Sequence, residues 1–375
     1  MKIFNLAIVG IGWWGKVIID RLSNSNHINI SYLVDPNPDD EAIKLAQSKN
    51  LHIFKDFNDA IKNNKTDGII LCTPNTLHMN QTIKAANLGL HVYCEKPLSL
   101  KSQEVVQMIK VCKKNNVILG VGHERRFEKG WQKLNQIVNN NTLGKIMYAE
   151  GHFSHDKLAN LPLDNWRANP EIAPAAGMTG MGVHLTDLMI WLFGPVKTVF
   201  ATTSHRVLKY KTGDVVTASL IHESGLTSQI TAILKTPHYQ RVTIWGENGW
   251  VELVDSSHPD TPGPSFLKVV MNDGSEIKET FDWVDTVSAN INNFMNAAKS
   301  KDDYLFSDIE KYQNIAVLES ISSLVRLDTQ LILIKSKLLY RLFVRQKSRR
   351  HSNVNGALIL TILNRLYLDS HYSVI

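Results

Sequence analysis

The sequence predicts an α/β protein of two domains. Residues 1–122 are expected to form a doubly wound parallel sheet, and residues 123–330 an α+β domain with an open, mostly antiparallel sheet. With 375 residues and 43% hydrophobic content, the chain can bury the cores of two domains. Short apolar runs alternate with amphipathic stretches up to residue 122, and strand-like runs then follow one another directly.

Five apolar runs rich in β-branched residues are the predicted strands of the first domain: NLAIV (5–9), INISYLV (28–34), GIILC (68–72), HVYC (91–94) and VILGVG (117–122). The stretches between them carry apolar residues at helical spacing: KVIIDRLSNS, DEAIKLAQSK, DFNDAIKNN, NQTIKAANLG and SQEVVQMIKVCKK. Strands that are apolar along their length and separated by helices indicate a parallel sheet covered on both faces.

The second domain opens with a predicted helix, FEKGWQKLNQIVNN, and an alternating strand, KIMYAEGHFSH. An irregular segment through LDNWRANPEIAPAAG leads to a helix near GVHLTDLMIWLFG. The runs VKTVFATTSH, DVVTASLIHE, LTSQITAILK, RVTIWG and GWVELVD then read as antiparallel strands, because turn signals such as ESG and GENG separate several of them. Two further helices, SANINNFMNAAKS and DIEKYQNIAVLESISSL, are expected to complete this domain.

The net charge of +6 lies in the last part of the chain. Residues 331–375 contain eight lysines and arginines and one aspartate, a net +7, so the preceding 330 residues carry −1. A nearly neutral body argues against nucleic acid as a partner. Residues 331–375 are a basic extension of unknown role. Its segment KLLYRLFVRQK has a pattern compatible with a membrane surface or a partner groove, and an extension with no selected role explains it equally well.

Composition also indicates the cellular compartment in which the protein is expected. The chain has no apolar run of eighteen residues, so no membrane span is expected. The start, MKIFNLAIVG, meets glycines too early for a secretory signal. Three cysteines without metal-type spacing suit a reducing cytoplasm, and no metal site is predicted.

GIGWWG at 10–15 fits the dinucleotide-binding pattern G-x-G-x-x-G in its expected context, after a strand and at the start of a helix. Gly10 permits the tight turn, Gly12 lets backbone amides approach a pyrophosphate, and Gly15 allows close packing of helix and strand. Asp35, twenty residues past Gly15, should accept hydrogen bonds from the ribose hydroxyls on the adenine side.

NAD is the predicted cofactor, and NADP is less favoured. A 2′-phosphate would meet the Asp35 carboxylate, and residues 36–40 offer no arginine to offset it. The rest of the glycine loop, Ile11, Trp13 and Trp14, should also border the cofactor. The two tryptophans cover the pyrophosphate or edge the nicotinamide pocket, although simple packing explains either one as well.

Two segments directly follow predicted strands: Thr73-Pro74-Asn75 after GIILC, and Glu95-Lys96-Pro97 after HVYC. Ligands of doubly wound sheets bind outside the carboxyl ends of the strands. Lys96 is therefore predicted to face the nicotinamide half of the cofactor.

At this point the chain resembles the glucose–fructose oxidoreductase / inositol dehydrogenase (Gfo/Idh/MocA) family over roughly residues 3–328. The matching segments, in family order, are GIGWWG at 10–15, TPNTLH at 73–78, EKP at 95–97, GHERRF at 122–127, WR at 166–167 and GVHLTD at 182–187. The resemblance implies a Rossmann domain, a cis Lys96–Pro97 peptide, and a Lys96 that touches both substrate and nicotinamide ribose. It also implies five positions that line the cofactor: Thr73, Pro74, Asn75, His78 and Glu95.

His184 lies at the predicted start of a helix, and in relatives the matching histidine points at the substrate hydroxyl. Asp187 follows on the same helical face. Many relatives carry an aspartate four residues before this histidine, where this chain has Gly180. Either Lys96 and His184 suffice, or another acid substitutes, with Asp187 and Glu124 as candidates.

The predicted function is an NAD-dependent oxidoreductase that acts on a secondary hydroxyl of a sugar, inositol or related polyol. His184 is the expected base, and Lys96 the electrostatic stabiliser and proton relay. The predicted substrate contacts, besides Asp187, are Trp166, Arg167, Arg125 and Arg126; an inter-domain ion pair explains Arg126 as well. Two alternatives stay open: an NAD-dependent glycosidase of the same fold, and a non-catalytic regulator that binds the dinucleotide. A homo-oligomer (dimer or tetramer) is expected from the resemblance.

Overall fold

The first sheet contains six parallel strands: β1 (Phe4–Val9), β2 (Ile28–Val34), β3 (Ile53–Phe54), β4 (Gly68–Leu71), β5 (His91–Cys94) and β6 (Leu119–Val121). Their order is β3-β2-β1-β4-β5-β6, so the winding reverses between β1 and β4. The predicted doubly wound Rossmann sheet is confirmed. The two residues of β3 are too few to show a strand period, and the sequence did not reveal this strand.

Five helices cover the first sheet: α1 (Trp13–Leu22), α2 (Asp40–Ser48), α3 (Phe57–Ala60), α4 (His78–Asn87) and α5 (Ser102–Lys114). Aspartate side chains cap two of them. Asp39 accepts a hydrogen bond from the Ala42 amide at the start of α2, and Asp56 accepts one from the Asp59 amide in α3. These caps fix where the helices begin, and with them the loops at the edge of the sheet.

The second domain begins with α6 (Lys129–Asn139), and α7 (Val183–Phe193) follows its first strand. Its sheet contains β7 (Ile146–Ser154), β8 (Val196–Ser204), β9 (Val215–His222), β10 (Thr227–Ile233), β11 (Tyr239–Gly246), β12 (Gly249–Asp255), β13 (Ser265–Met271), β14 (Glu276–Phe281) and β15 (Ile332–Leu333). The order is β14-β13-β12-β11-β7-β10-β9-β8-β15. Neighbours are antiparallel except β7 and β10, which confirms the predicted open, mostly antiparallel sheet.

Two final helices connect the parts of the chain. The first, α8 (Thr286–Ser300), packs on the Rossmann sheet, where Ile291 and Phe294 join the core that contains Leu6 and Ile8. The second, α9 (Asp308–Leu327), packs against α5, α7 and β8. The chain thus returns to the first sheet after it completes most of the second, and a division at residue 122 stays a prediction.

The structure, a computed structural model, describes residues 3–62, 66–256, 258, 261–300, 303–327 and 332–333. Residues 1–334 form one compact unit. The predicted basic extension lies outside the described residues, except for β15. Among the helices described, none is long and apolar enough to cross a membrane.

Candidate active site

The glycine loop joins β1 to α1 at the carboxyl edge of the Rossmann sheet. Gly10 has a φ of +90°, and a side chain there would press on the Cys72 carbonyl. A Cβ at Gly15 would overlap the Gly10 carbonyl oxygen. Gly12, the N-cap of α1, differs, because no described atom lies within 4 Å of where its Cβ would stand. The loop therefore fits a pyrophosphate at the amino end of α1.

Asp35 lies at the end of β2 and is fixed to the glycine loop. Its Oδ2 accepts a hydrogen bond from the Ile11 amide at 2.8 Å, and its Oδ1 accepts one from the Asn37 amide at 2.9 Å. The Ile11 side chain is in the core, so this residue can offer a ligand only its backbone. Lys16 pairs with Asp39 and Glu41 close by. A 2′-phosphate here would meet acidic groups, which favours NAD over NADP.

The two tryptophans of the loop have different surroundings. Trp13 is half exposed beside Gly12, and its ring centroid lies 5.4 Å from that of Trp14. Trp14 packs partly against the core of the first domain. Its indole nitrogen is buried and lies close to the Glu95 carboxyl. Trp13 is thus free to cover a ligand, whereas Trp14 is chiefly a packing residue.

The segments after β4 and β5 meet at one edge of the sheet, as predicted. His78 is fully buried between them, with Nδ1 3.0 Å from the Pro97 carbonyl oxygen and Nε2 2.9 Å from that of Thr73. The Thr73 hydroxyl donates to Gln81 at 2.6 Å. His78 therefore holds the two segments together. The resemblance implied that His78 lines the cofactor, but both of its ring nitrogens are engaged by backbone carbonyls. The Lys96–Pro97 peptide is cis, as the resemblance implied.

Lys96 extends from this edge toward the second domain. Its ammonium group donates to the backbone carbonyl of Gly180 at 3.0 Å. Burial lowers the pKa of Lys96, while the carboxylates of Glu124 and Glu95 act in the opposite direction. Glu95 and Glu124 are themselves buried, and burial together with Glu124 raises the pKa of Glu95 to about 8. Two buried acids and one partly buried amine thus act on one another.

His184 comes from the second domain. A π-helical turn, Met178–Gly182, leads into α7 and directs the Gly180 carbonyl toward Lys96. His184, the second residue of α7, is buried, and its Nδ1 has no partner among the described residues. Burial and the nearby Lys96 charge hold the pKa of His184 well below its usual value. The imidazole is therefore neutral at pH 7.

A cavity lies between the two domains, and residues of both line it. Its polar side chains are Asn75, Lys96, Thr179, Arg167 and Tyr210. Its apolar side chains include Leu158, Leu161, Trp166 and Leu234. His184 is not among the lining residues. Within the described residues, no three His, Cys, Asp or Glu side chains are grouped to hold a metal ion.

Trp166 and Arg167 line this cavity, as a substrate role requires. They lie on a 3₁₀ turn, Trp166–Ala168, that the Asn165 side chain caps by accepting from the Arg167 amide. The Arg167 guanidinium lies 4.1 Å from the centre of the Trp166 ring. Asn75 reaches the same cavity, where its side-chain amide donates to the Ile172 carbonyl at 3.2 Å. Both domains thus contribute to one site.

Three predicted substrate residues are engaged elsewhere. Arg126 is fully buried and forms a bidentate pair with Asp187, with both hydrogen bonds at 2.7 Å, and it also bonds Glu310 at 2.8 Å. Arg125 is buried and pairs with Glu128 at 2.7 Å. The structure therefore does not support substrate contacts for Arg125, Arg126 or Asp187. Asp187, with its carboxylate paired, does not replace the absent aspartate either.

Other site residues escaped the sequence analysis. His123 is buried, its ring centroid lies 5.7 Å from that of His184, and burial lowers its pKa to about 4. His123 follows β6 as Lys96 follows β5. The rule that ligands bind outside the carboxyl ends of the strands could therefore have identified it as well. Tyr210 and Leu158 line the cavity from irregular segments. No motif or period marked either of them.

Comparisons with known proteins agree with this geometry. Residues 4–123 match the family model described as "Oxidoreductase family, NAD-binding Rossmann fold". Residues 131–252 match the family model described as "GFO/IDH/MocA C-terminal domain". The chain is 29% identical over 252 residues to a myo-inositol 2-dehydrogenase of Thermotoga maritima, covering 65% of this chain and 73% of that protein.

Two further likenesses carry less weight, the first because it is short and the second because its sequence identity is low. A 2,7-anhydro-N-acetylneuraminate hydratase of Mediterraneibacter gnavus is 29% identical over 148 residues, covering 40% of this chain and only 39% of that relative's length. The crystal structure of an aldose-aldose oxidoreductase from Caulobacter crescentus superposes with a TM-score of 0.78 at 20% identity, covering 89% of this chain and all of that one. This last likeness shows the fold alone. Because both domains match in the order that the fold requires, the chain belongs to the Gfo/Idh/MocA family of oxidoreductases.

Proposed function

We propose that the protein catalyses hydride transfer between NAD and a secondary hydroxyl of a sugar, inositol or related polyol. The observation that carries the proposal is the position of Lys96. It follows β5 at the cofactor edge of the Rossmann sheet, lines the cavity, and bonds Gly180 four residues before His184. The name of the Thermotoga maritima relative, a myo-inositol 2-dehydrogenase, supports a polyol as substrate.

The glycine loop and Asp35 have the features that NAD requires. The amino end of α1 faces open space at Gly12 and offers unpaired amides to the phosphates. Asp35, fixed by the Ile11 amide, keeps acceptor capacity for the ribose hydroxyls on the adenine side. Bound NAD supplies the hydride acceptor. The segments at Thr73 and Glu95 would border its nicotinamide half.

The proton chemistry belongs to the chain's own side chains. Because Lys96 lines the cavity, we assign its Nζ to the substrate oxygen, where it would stabilise the negative charge that develops. We assign the final proton acceptor to His184, which is neutral and whose Nδ1 has no partner among the described residues: Lys96 passes a proton toward it and takes the hydroxyl proton in its place. His184 is buried and Lys96 is partly buried, which limits the access of water and strengthens these interactions.

The test replaces each group singly. Lys96→Ala and His184→Ala should each lower turnover of NAD with a polyol substrate by about 10²–10⁴-fold, the usual worth of general-base help, while NAD still binds. Lys101→Ala and His205→Ala, at exposed positions, serve as matched controls and should keep full turnover. Turnover close to that of the wild type in both site variants contradicts the mechanism.

We also propose a homo-oligomer that forms through the outer face of the second sheet. Tyr148, Trp245 and Trp250 lie opposite one another on β7, β11 and β12, and Phe266 on β13 is 48% exposed. Such an aromatic face suits a second copy of the chain. Light scattering should give a dimer or tetramer for the wild type and a smaller species for Trp250→Glu. A monomeric wild type at micromolar concentration removes the proposal.

We place the reaction in the cytoplasm. The three cysteines, Cys72, Cys94 and Cys112, form no disulfide, which suits a reducing compartment. A fusion to a fluorescent protein tests this placement by microscopy.

A further inference from the structure

We propose that the substrate carries a carboxylate, which Arg167 binds while the reacting hydroxyl lies at Lys96. This inference rests on the proposed function for the position of the hydroxyl. It goes further because it names the chemical class: sugar acids, such as hexuronates, in preference to neutral sugars or polyols.

Arg167 is the first observation. Its guanidinium lines the cavity and is partly shielded from water. No carboxylate in the described part of the chain lies within 4 Å of it, and its neighbour Trp166 offers only an aromatic face. The other two arginines of the site region, Arg125 and Arg126, are paired with acids. A cation held out of water without a counter-ion is costly, and a bound anion relieves that cost.

The balance of charge in the cavity points the same way. Its lining contains two cations, Lys96 and Arg167, and no acidic side chain. Gly180 contributes only its carbonyl, which holds the Lys96 ammonium. Glu124 acts on Lys96 from outside the lining, whereas Glu95, with its pKa raised to about 8, is largely neutral at pH 7. The charge of Lys96 is therefore partly offset, whereas that of Arg167 is not.

The shape of the donor set selects a carboxylate over a phosphate. A guanidinium is a planar fork that binds a carboxylate through two parallel hydrogen bonds. Besides Asn75 and Thr179 the remaining wall offers few donors, because Leu158, Leu161 and Leu234 are apolar. The Tyr210 hydroxyl is already directed at the carbonyl oxygens of Leu158 and Leu161, at 3.0 and 3.1 Å. With Lys96 at the reacting hydroxyl, one guanidinium is left for the anion, and it matches one negative charge, whereas a dianion would need more.

The experiment compares matched pairs of compounds that differ only at the acidic group: glucuronate with glucose, galacturonate with galactose, and gluconate with sorbitol. Glucose 6-phosphate is the phosphate arm. NAD reduction gives kcat/KM for each compound, and calorimetry on the NADH-bound protein gives binding without turnover. In at least one pair the acid should exceed its neutral partner by at least about tenfold in kcat/KM or affinity, which corresponds to 1.4 kcal/mol.

Three variants assign this preference to Arg167. Arg167→Gln should reduce the acid-to-neutral ratio to below about threefold, and Arg167→Lys, which keeps the charge but loses the fork, should give an intermediate ratio. Arg206→Gln, at an exposed arginine outside the lining, is the control and should keep the full ratio. Circular dichroism checks that each variant is folded.

The outcomes separate this inference from the proposed function. Tight binding of acids without NADH formation would contradict the proposed dehydrogenase activity but support the carboxylate site. Oxidation of neutral sugars as efficient as that of their acids would support the dehydrogenase activity but contradict the carboxylate site. Three results overturn the inference: no acid binds or reacts better than its neutral partner, glucose 6-phosphate is preferred to every carboxylate, or Arg167→Gln keeps the full ratio.

Discussion

Gly12 and Gly15 are three residues apart, yet a methyl group would meet different surroundings at each. At Gly15 it would overlap the Gly10 carbonyl oxygen, whereas at Gly12 it would point into open space. Gly15→Ala should therefore unfold at a lower temperature than the wild type. Gly12→Ala should keep the wild-type melting temperature but bind NAD at least about tenfold more weakly, because its methyl group occupies the phosphate position.

Thermal unfolding and NAD titration of the two variants check this contrast. Tight NAD binding by Gly12→Ala would place the pyrophosphate elsewhere. An unchanged melting temperature in Gly15→Ala would show that the helix can move away from the loop.

The buried Glu95 carboxyl gives the protein a specific dependence on pH. Burial and Glu124 raise its pKa to about 8, compared with about 4.3 in an unfolded chain. Between these values the folded protein holds a proton that the unfolded chain has released. Raising the pH through this window therefore lowers the free energy of unfolding, by at most about 1.4 kcal/mol per pH unit.

Glu95→Gln, which stays neutral at every pH, should lose less stability than the wild type between pH 5 and pH 8. Urea unfolding at four pH values measures the difference. Glu247→Gln, at an exposed position, should follow the wild type. Parallel curves for Glu95→Gln and the wild type would mean that Glu95 is already ionised in the folded protein.

The buried pair of Arg126 and Asp187 connects three elements. Arg126 lies on the 3₁₀ turn Glu124–Phe127, Asp187 on α7, and their further partner Glu310 on α9. Arg126→Met leaves both carboxylates without their cation, so it should lower the free energy of unfolding by about 3–5 kcal/mol. Chemical unfolding measures this loss.

Asp187→Asn separates the structural role of this pair from a substrate role. It should lower the melting temperature while the KM of the polyol stays close to that of the wild type. A raised KM at unchanged stability would return Asp187 to the substrate site.

At the level of elements, the sequence was informative wherever the signal was local. Helical periodicity predicted α5 with its observed bounds, Ser102–Lys114. The rule that ligands bind outside the carboxyl ends of parallel strands drew attention to Lys96, which follows β5. Periodicity did not reveal β13 and β14, because their residues do not form distinct apolar runs in the sequence. These two strands are stabilised by pairing, β13 with β12 and β14 with β13.

For the whole molecule, the short strand β15 sets where the folded unit can be cut. Ile332 and Leu333 pair with Val199 and Thr198 on β8 at the edge of the second sheet. A chain that ends at residue 334 should keep the melting temperature and turnover of the full chain. One that ends at residue 330 should lose about 1–2 kcal/mol of stability with the edge hydrogen bonds and should keep its catalysis.

Calorimetry and turnover of the two truncated chains test this expectation. If the chain ending at 334 fails to fold, residues 335–375 have a structural role. If the chain ending at 330 is as stable as the longer one, β15 adds nothing measurable.

The sequence by itself determined the Rossmann sheet, the glycine loop, Asp35 and the place of Lys96, because these depend on periods and turns within a few residues of each other. Only the tertiary structure decided which charges are paired. Arg126 meets Asp187 across 61 residues, and Lys96 meets the Gly180 carbonyl across 84. A side chain's partner in a dry interior depends on such distant contacts, so no local pattern distinguishes the paired Arg126 from the unpaired Arg167.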